Sequence, residues 1–451
     1  MATTDFEVTG TNDAALFTLK IHRGDGMALL AMNWKQGQPP DNFVGFAIEY
    51  QPPGGNTFHA LNNRIGFPTA TGGVDPATLS TLQSPIQKFR WVHFPFNAEL
   101  AGEFAYRVSP VFMDAQDKLT FGANQLASIE LRRETYPGQL NIAFTRGFVA
   151  SQAFVDRYQA AGDISTLLPA VAAQGLTFTP THPMAAKALT WMGFEAREAI
   201  LAVLDQANAD PVAQVRVIAY DLNLPDIVNR LKTLGPRLKV IIDNSGAHAT
   251  SGSAENQAET VLAATAGAQN VKRQRMGALQ HNKFIAVDSP TLHLAVCGST
   301  NFSWRAFYVQ SNNAVVLTGK SAVAPFLAAF DNYWNNGTVA GFGATSSVKQ
   351  TDLLLTGIDA KVAYSPHLPD TALLQTAADD IATGTSSSLF YSLAFLYETP
   401  GVILDAIKTV TADPTRFVYG ISDRKVGGIN LTEPGGNPVP VFPAALSGNL
   451  P

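Results

Sequence analysis

The chain has 451 residues, more than a single hydrophobic core usually organises, so two or three domains are expected. Charged residues make up 15% of it, few for a soluble protein, and the formal charge of -5 leaves no broad cationic field for gathering phosphate backbones from a distance. Cys297 is the only cysteine, which excludes an intrachain disulfide and any zinc site built from cysteines, and it reads as a small buried hydrophobe.

The opening "MATTDFEVTG" lacks the basic and apolar regions of a secretory signal, and apolar runs such as "AVAPFLAAF" fall short of the ~18 residues a membrane helix needs. A soluble, cytoplasmic chain is the expectation. Residues 1–135 read as an all-β sandwich: "AALFTLKIHR", "FVGFAIEYQ", "FRWVHFPF", "GEFAYRVSPVFM" and "ASIELRRE" alternate apolar and polar residues between Gly, Pro, Asn and Asp turns. The run holding Tyr106, Val108 and Val111 resembles a late strand of a fibronectin type III or immunoglobulin-like domain. Trp34, Trp91 and Tyr106 are assigned to its core, and His22, His59 and His93 have no neighbours in sequence that would make them a metal trio.

From about 140 the pattern changes. "FEAREAILAVLDQA" has helical periodicity, "VRVIAYD" is a strand, "LPDIVNRLKTLG" a capped amphipathic helix, "RLKVIID" a buried strand and "ENQAETVLAATAG" another helix. The alternation predicts an α/β lobe over 140–345, with ligands at the carboxyl ends of its strands. "LLQTAADDIATG", "SLFYSLAFLY", "TPGVILDAIKTV" and "TRFVYGISD" then repeat the order of helix, strand, helix and strand, with Asp423 in the place of Asp243, so 351–451 is expected to be an incomplete second lobe.

"HNKFIAVDSPTLHLAVCGSTN", residues 281–301, carries the chemistry. Read as a strand, it sets His281 and Lys283 on one face and Phe284 and Ala286 on the other. A lysine beside a histidine disfavours imidazole protonation, which leaves a neutral ring as a nucleophile near pH 7 while the ammonium donates to an anion. Asp288 lies on the opposite parity, where it would tie down a turn or a neighbouring backbone. "HLAVC" reads as the partner strand, running into Gly298, Ser299, Thr300 and Asn301; the glycine permits close backbone approach to a ligand, and Ser299 and Asn301 add neutral donors. A nucleophile, a cation and such donors make a phosphate cradle.

His281, Lys283 and Asp288, followed by Gly298, Ser299 and Asn301, resemble the HxKxxxxD signature and trailing GSxN of the phospholipase D superfamily. "FTRGF" and "WMGFEAREAI" upstream are similar to segments of bacterial phospholipase-D-like proteins. The resemblance implies that His281 attacks phosphorus to give a phosphohistidine, Lys283 and Asn301 bind the non-bridging oxygens, Ser299 supports that network, Gly298 opens the corner to substrate and Asp288 is structural. It implies no metal and no cofactor. The substrate class is a phosphodiester, a phospholipid in preference to nucleic acid because net charge is negative and basic residues are not concentrated on a long face.

Two departures stand out. Nine residues separate Asp288 from Gly298 where the family has about six, so a longer hairpin is expected. The family also uses two such motifs, one histidine as nucleophile and the other as acid, whereas this sequence holds one HxK; an equivalent placed after Asp423 as His281 is after Asp243 falls at about 461, past Pro451. His367, between Pro366 and Pro369, is a poor substitute. A second motif would come from another chain or from further carboxyl-terminal sequence. The alternatives are a phosphate-ligand binding or scaffold module, which retains anion binding without general-acid assistance, and a nuclease whose site is completed by dimerisation. Of the remaining features, "VKRQR" is a solvated strand or a steering rim, Glu195 and Glu198 share a helix face, and Phe302 and Trp304 either wall the site or begin a buried turn. His293 reads as a half-exposed strand residue, and His182 and His248 lie in loop-like sequence with no partner apparent.

Overall fold

The computed structural model describes residues 6–24, 26–67, 78–95, 97–98, 100–131, 134–147, 152–368, 373–393, 396 and 401–421. Its first part is an all-β region. β1 (Glu7–Thr9), β2 (Phe17–Gly24), β3 (Met27–Trp34), β4 (Phe43–Gln51), β5 (His59–Ala60), β6 (Arg90–His93), β7 (Glu103–Met113), β8 (Leu119–Phe121) and β9 (Gln125–Glu130) make two sheets, ordered β1-β2-β3-β6 and β5-β4-β7-β8, with β9 also on β7. The period of two decides which side chains turn inward: Phe17, Leu19 and Ile21 of β2 are buried while Thr18 and Lys20 are exposed. They meet Phe46, Ile48, Phe104 and Tyr106 in one cluster, each large side chain contributing about 1.5–3 kcal/mol by leaving water. Trp34 and Trp91 pack partly buried against that cluster. Tyr106 is sealed at 0% exposure, and its hydroxyl is satisfied by His93 Nδ1 at 3.0 Å. The same burial drops His93 to about 4, so it stays neutral and structural.

The α/β part comprises β10 (Leu140–Phe144), α1 (Gln152–Tyr158), α2 (Ala185–Ala209), β11 (Gln214–Ala219), α3 (Pro225–Leu234), β12 (Leu238–Asp243), α4 (Ala254–Ala266), β13 (Val271–Gln274), β14 (Phe284–Asp288), β15 (His293–Gly298), α5 (Trp304–Tyr308), β16 (Asn313–Thr318) and α6 (Lys320–Asn335). The sheet order is β10-β16-β15-β14-β11-β12-β13. β11 and β12 run parallel, as a helical crossover requires, whereas β14, β15, β16 and β10 are antiparallel to their neighbours. Local sequence accounts for the crossover helix. Pro225 starts α3, Asp226 sits in its first turn and Lys232 in its last, Gly235 ends it at φ 57°, and Ile227, Val228, Leu231 and Leu234 form its buried stripe. α4 is capped by Ser253, whose side chain accepts from Asn256 N, and closed by Gly267.

Both faces of this sheet are covered. Ile285 and Val287 of β14 join α2, α3 and α4 in one cluster, while Phe284 turns to Phe326 of α6, ring centroids 5.7 Å apart. Phe284, Ile285, Ala286 and Val287 are therefore all buried, on the two covered faces of the sheet in turn. The strand also starts later than the sequence suggests. His281, Asn282 and Lys283 precede it, because the ladder with β11 begins at the pair Ile218–Phe284.

Further along lie α7 (Val339–Gly343), β17 (Thr351–Asp352) paired antiparallel with β18 (Lys361–Val362), then α8 (Leu373–Gly384), β19 (Ser388–Ser392), α9 (Val402–Thr411) and β20 (Phe417–Ile421). β19 and β20 pair in parallel, in the same order of helix and strand as α2, β11, α3 and β12. Phe390, Phe417, Tyr419 and Ile421 of this pair are exposed. Asp423 and the closing segment lie outside the described residues. No described helix is long and apolar enough to cross a membrane.

Candidate active site

The sheet pairing gathers the polar groups at one edge. The carboxyl ends of β10, β11, β12 and β15 and the amino ends of β14 and β16 all face the same way, so Tyr220, Asp221, Asp243, His281, Lys283, Gly298–Asn301 and Asn313 share an edge. Ligands of open α/β sheets collect at such an edge.

Asp243 anchors it. The carboxylate is 0% exposed and accepts from Ser245 N at 3.0 Å, Ser245 Oγ at 2.5 Å, His248 Nδ1 at 2.7 Å and Gln280 N at 2.6 Å. Burial alone would raise its pKa, but these donors outweigh that and lower it. The bond to Gln280 fixes the backbone immediately before His281. Arg273, from the basic run "VKRQR", donates to the Asp243 and His248 carbonyls and pairs with Glu259, so it braces the edge from behind.

His248, for which the sequence offered no partner, lies in a short turn of 3-10 helix and binds carboxylates through both ring nitrogens: Nδ1 to Asp243 and Nε2 to Asp221 at 3.2 Å. Burial opposes its charge, but the bonds to Asp221 and Asp243 prevail and raise its pKa to about 10. Glu255, 4% exposed, lies 3.9 Å from Nε2 and accepts from Leu222 N, and burial raises its pKa. Asp221, His248 and Glu255 are the one group among the described residues whose ligand atoms come close enough to hold a metal ion. A charged His248 satisfies the same carboxylates without one.

The His281 imidazole has solvent on one side and the Tyr220 ring on the other, centroids 4.6 Å apart and the planes at 74°. Partial burial and the nearby Lys283 lower its pKa against the opposing pull of Asp221 and Asp243, so the ring is neutral at pH 7. Lys283 is drawn down to about 8 by burial, its ammonium donating to the His281 carbonyl and standing 5.4 Å from the Tyr220 centroid. A lysine still mostly protonated near neutrality, beside a neutral imidazole, suits an anionic ligand.

Across the edge, Gly298 has φ 128°, and a Cβ there would lie 2.6 Å from the Asn313 carbonyl. Its missing side chain thus admits the neighbouring strand. Ser299 is exposed, with its Oγ accepting from Asn313 N at 3.0 Å, and Thr300 Oγ1 donates to Asn313 O at 2.7 Å. Among the described residues the buried amide oxygen of the Asn301 side chain meets no hydrogen-bond partner. Phe302 and Trp304 are buried, and Trp304 Nε1 donates to Gly175 O at 2.9 Å, which makes them the start of a buried turn.

Two upstream segments meet at this edge. α2 breaks at Phe194, whose φ of 46° and ψ of -140° interrupt the helix, and the freed Met192 carbonyl accepts from Arg146 N and Gly147 N. The Arg146 guanidinium lies 4.6 Å from the Trp191 ring and 4.1 Å from that of Phe194. "FTRGF" and "WMGFEAREAI" are therefore halves of one packing unit.

Asp288 is elsewhere. Five residue-to-residue steps of extended chain, about 17 Å at roughly 3.3 Å each, lead from Lys283 to it. It pairs across the hairpin with His293, Oδ1 to Nδ1 at 2.7 Å, and the turn between them, Ser289–Leu292, is closed by Ser289 Oγ accepting from Leu292 N. A groove of about 670 Å³ opens at this far edge, lined by Glu195, Glu198, His293 and neighbours of β10, β16 and α2; it holds none of His281, Lys283 and Asn301. His182 is buried against the Tyr158 carbonyl, 3.3 Å away.

Residues 200–334 match the family model described as cardiolipin synthase, PLD-like domain. Over 113 residues the chain is 26% identical to a mitochondrial cardiolipin hydrolase of Chlamydomonas reinhardtii, an alignment covering 25% of this chain and 46% of that relative. The chain thus spans just under half the length of that curated relative. Among solved structures it is similar to Nuc from Salmonella typhimurium, a phospholipase D family member, with 28% identity, 32% of this chain and 88% of that one covered, and a TM-score of 0.27. NucT from Helicobacter pylori covers 32% and 91% at 15% identity, with a TM-score of 0.26.

Proposed function

We propose that this chain, which carries a domain of the phospholipase D superfamily, cleaves a phosphodiester through a covalent phosphohistidine at His281, with a phospholipid as substrate. The observation that carries the reading is the open, neutral His281 imidazole placed beside Lys283 at the sheet edge that also holds Asn301. His281 attacks phosphorus, and the bond to the leaving alcohol breaks, its oxygen taking up a proton. Water then attacks the phosphohistidine and the P–N bond breaks, returning the imidazole. Lys283 and Asn301 bind the non-bridging oxygens, with Ser299 and Asn313 holding that corner. Asp221 beside the site and a net charge of -5 disfavour a polyanionic strand and so support lipid over nucleic acid.

We read the all-β region as an accessory sandwich and the parallel β19–β20 pair with α8 and α9 as part of a second lobe of the same type. The single HxK in this sequence favours a second reading, a module that binds phosphate ligands with the leaving-group acid missing.

The test is hydrolysis of a soluble aromatic phosphodiester with chelator present, by wild type and His281→Ala, followed by phospholipid vesicles against single-stranded DNA. Metal-independent turnover that disappears in the variant, with an acid-labile, alkali-stable phosphoryl-enzyme, supports the enzyme. Phosphate binding without turnover in either protein supports the second reading. Turnover of DNA alone overturns the lipid assignment.

A further inference from the structure

We propose that Tyr220 is a positioning residue: its ring is the support that sets the attitude of the His281 imidazole toward phosphorus. The inference rests on the phosphohistidine reading of the site. His281 lies just outside the β14 ladder, so cross-strand hydrogen bonds to β11 fix the chain only from Phe284 onward, and the bond from Gln280 N to Asp243 fixes it only on the other side. Neither restrains the two side-chain torsions of the histidine. The Tyr220 ring does, standing edge to face with His281 at 4.6 Å.

Tyr220 is itself firmly seated. It follows Ala219, the last residue of β11, which is in register with Ile242 of β12. Behind its ring, 4.6 Å away at 62°, stands His248, immobilised through both nitrogens by Asp221 and Asp243. Lys283 Nζ lies near the same ring at 5.4 Å. One aromatic side chain therefore touches the proposed nucleophile, the proposed phosphate-binding cation and a locked imidazole. The ring makes these contacts, so phenylalanine should replace it and alanine should not. Attack at phosphorus needs near-attack alignment, and misplacement by about 1 Å costs on the order of a hundredfold in rate.

The experiment compares wild type with Tyr220→Phe, Tyr220→Ala and Tyr220→Leu, measuring kcat and KM on the aromatic phosphodiester and following the His281 imidazole by NMR from pH 4 to 9. Tyr220→Phe should stay within about threefold of wild type, while Tyr220→Ala should lose about tenfold or more in kcat with KM little changed. In Tyr220→Ala the His281 midpoint should rise, because water reaches the uncovered ring while the charged groups around it (Lys283, Asp221, Asp243 and His248) remain. Tyr220→Leu keeps the bulk without a ring; it should also lose kcat, and it supplies the reading if the alanine variant does not fold. Wild-type kcat and an unmoved His281 midpoint in a folded ringless variant would overturn the inference, and so would equal damage in Tyr220→Phe. If wild type shows no turnover, the phosphohistidine reading fails, whereas the His281 midpoint still decides the role of Tyr220.

Discussion

The hairpin of β14 and β15 has a histidine beside each of its ends, and the two are held in opposite ways. His293 gives its Nδ1 to Asp288 at 2.7 Å and belongs to a closed turn. His281 faces water across from an aromatic wall, near a lysine whose proton is loosely held. Both pair an imidazole with a charged neighbour. The end where the sheet stops short exposes the ring, whereas the end where a turn closes commits Nδ1 of the ring to Asp288. A linear signature that contains Asp288 as well as His281 thus spans two environments about a strand length apart.

The largest expected difference between the two ends is in rate. His281→Ala should reduce phosphodiester turnover by at least about a thousandfold, while His293→Ala should stay within about threefold. Equal losses in a steady-state assay would erase the contrast. Stability should separate the ends in the same sense. Asp243→Ala removes a sealed carboxylate that satisfies four donors and should cost about 3–5 kcal/mol, against less than about 1 kcal/mol for the half-exposed pair in Asp288→Ala. Urea denaturation of the two variants side by side measures this.

The pH dependence sharpens the contrast further. Since His281 must be neutral and Lys283 charged, kcat/KM should fall about tenfold per pH unit on two limbs. The acid limb, where His281 protonates, is displaced to lower pH than an ordinary imidazole would give, because burial and Lys283 disfavour its charge; the other lies above about pH 8, where Lys283 loses its proton. A rate still rising at pH 10 would remove Lys283 from the role assigned to it. The smallest effect concerns His248. Its folded pKa of about 10 lies above the ordinary value of 6.5, so its contribution to stability is complete below pH 6.5 and disappears as pH rises toward 10. The Tm should drop by a few degrees across that window in wild type and by less in His248→Gln, as scanning calorimetry would reveal.

How much of this was legible in the sequence depends on how local each feature is. β11, α3, β12 and α4 fall where their periodicity places them, because each carries its own apolar face and end signals. His281, Lys283 and Asn301 were legible because one short stretch contains them. Tyr220, Asp221, Asp243 and His248 were not, since they join the site only when β11 and β12 pair and a loop folds back over them. A clue existed in the two aspartates that end or follow these strands at the carboxyl edge. The misplaced start of β14 has the opposite origin. Two-residue spacing in the sequence let His281 and Lys283 be read as one face of the strand, but β11 ends at Ala219 and offers no partner for His281.

The parallel ribbon of β19 and β20 has a practical consequence for the bench. Phe390 and Phe417 meet edge to face at 5.9 Å on a surface that also bears Tyr419 and Ile421, and among the described residues no third strand flanks the pair. Backbone donors and acceptors along such margins invite pairing with a neighbouring molecule. Concentrated stocks of this chain should therefore cloud or form higher-order species, and a charged substitution such as Phe390→Lys should keep them clear.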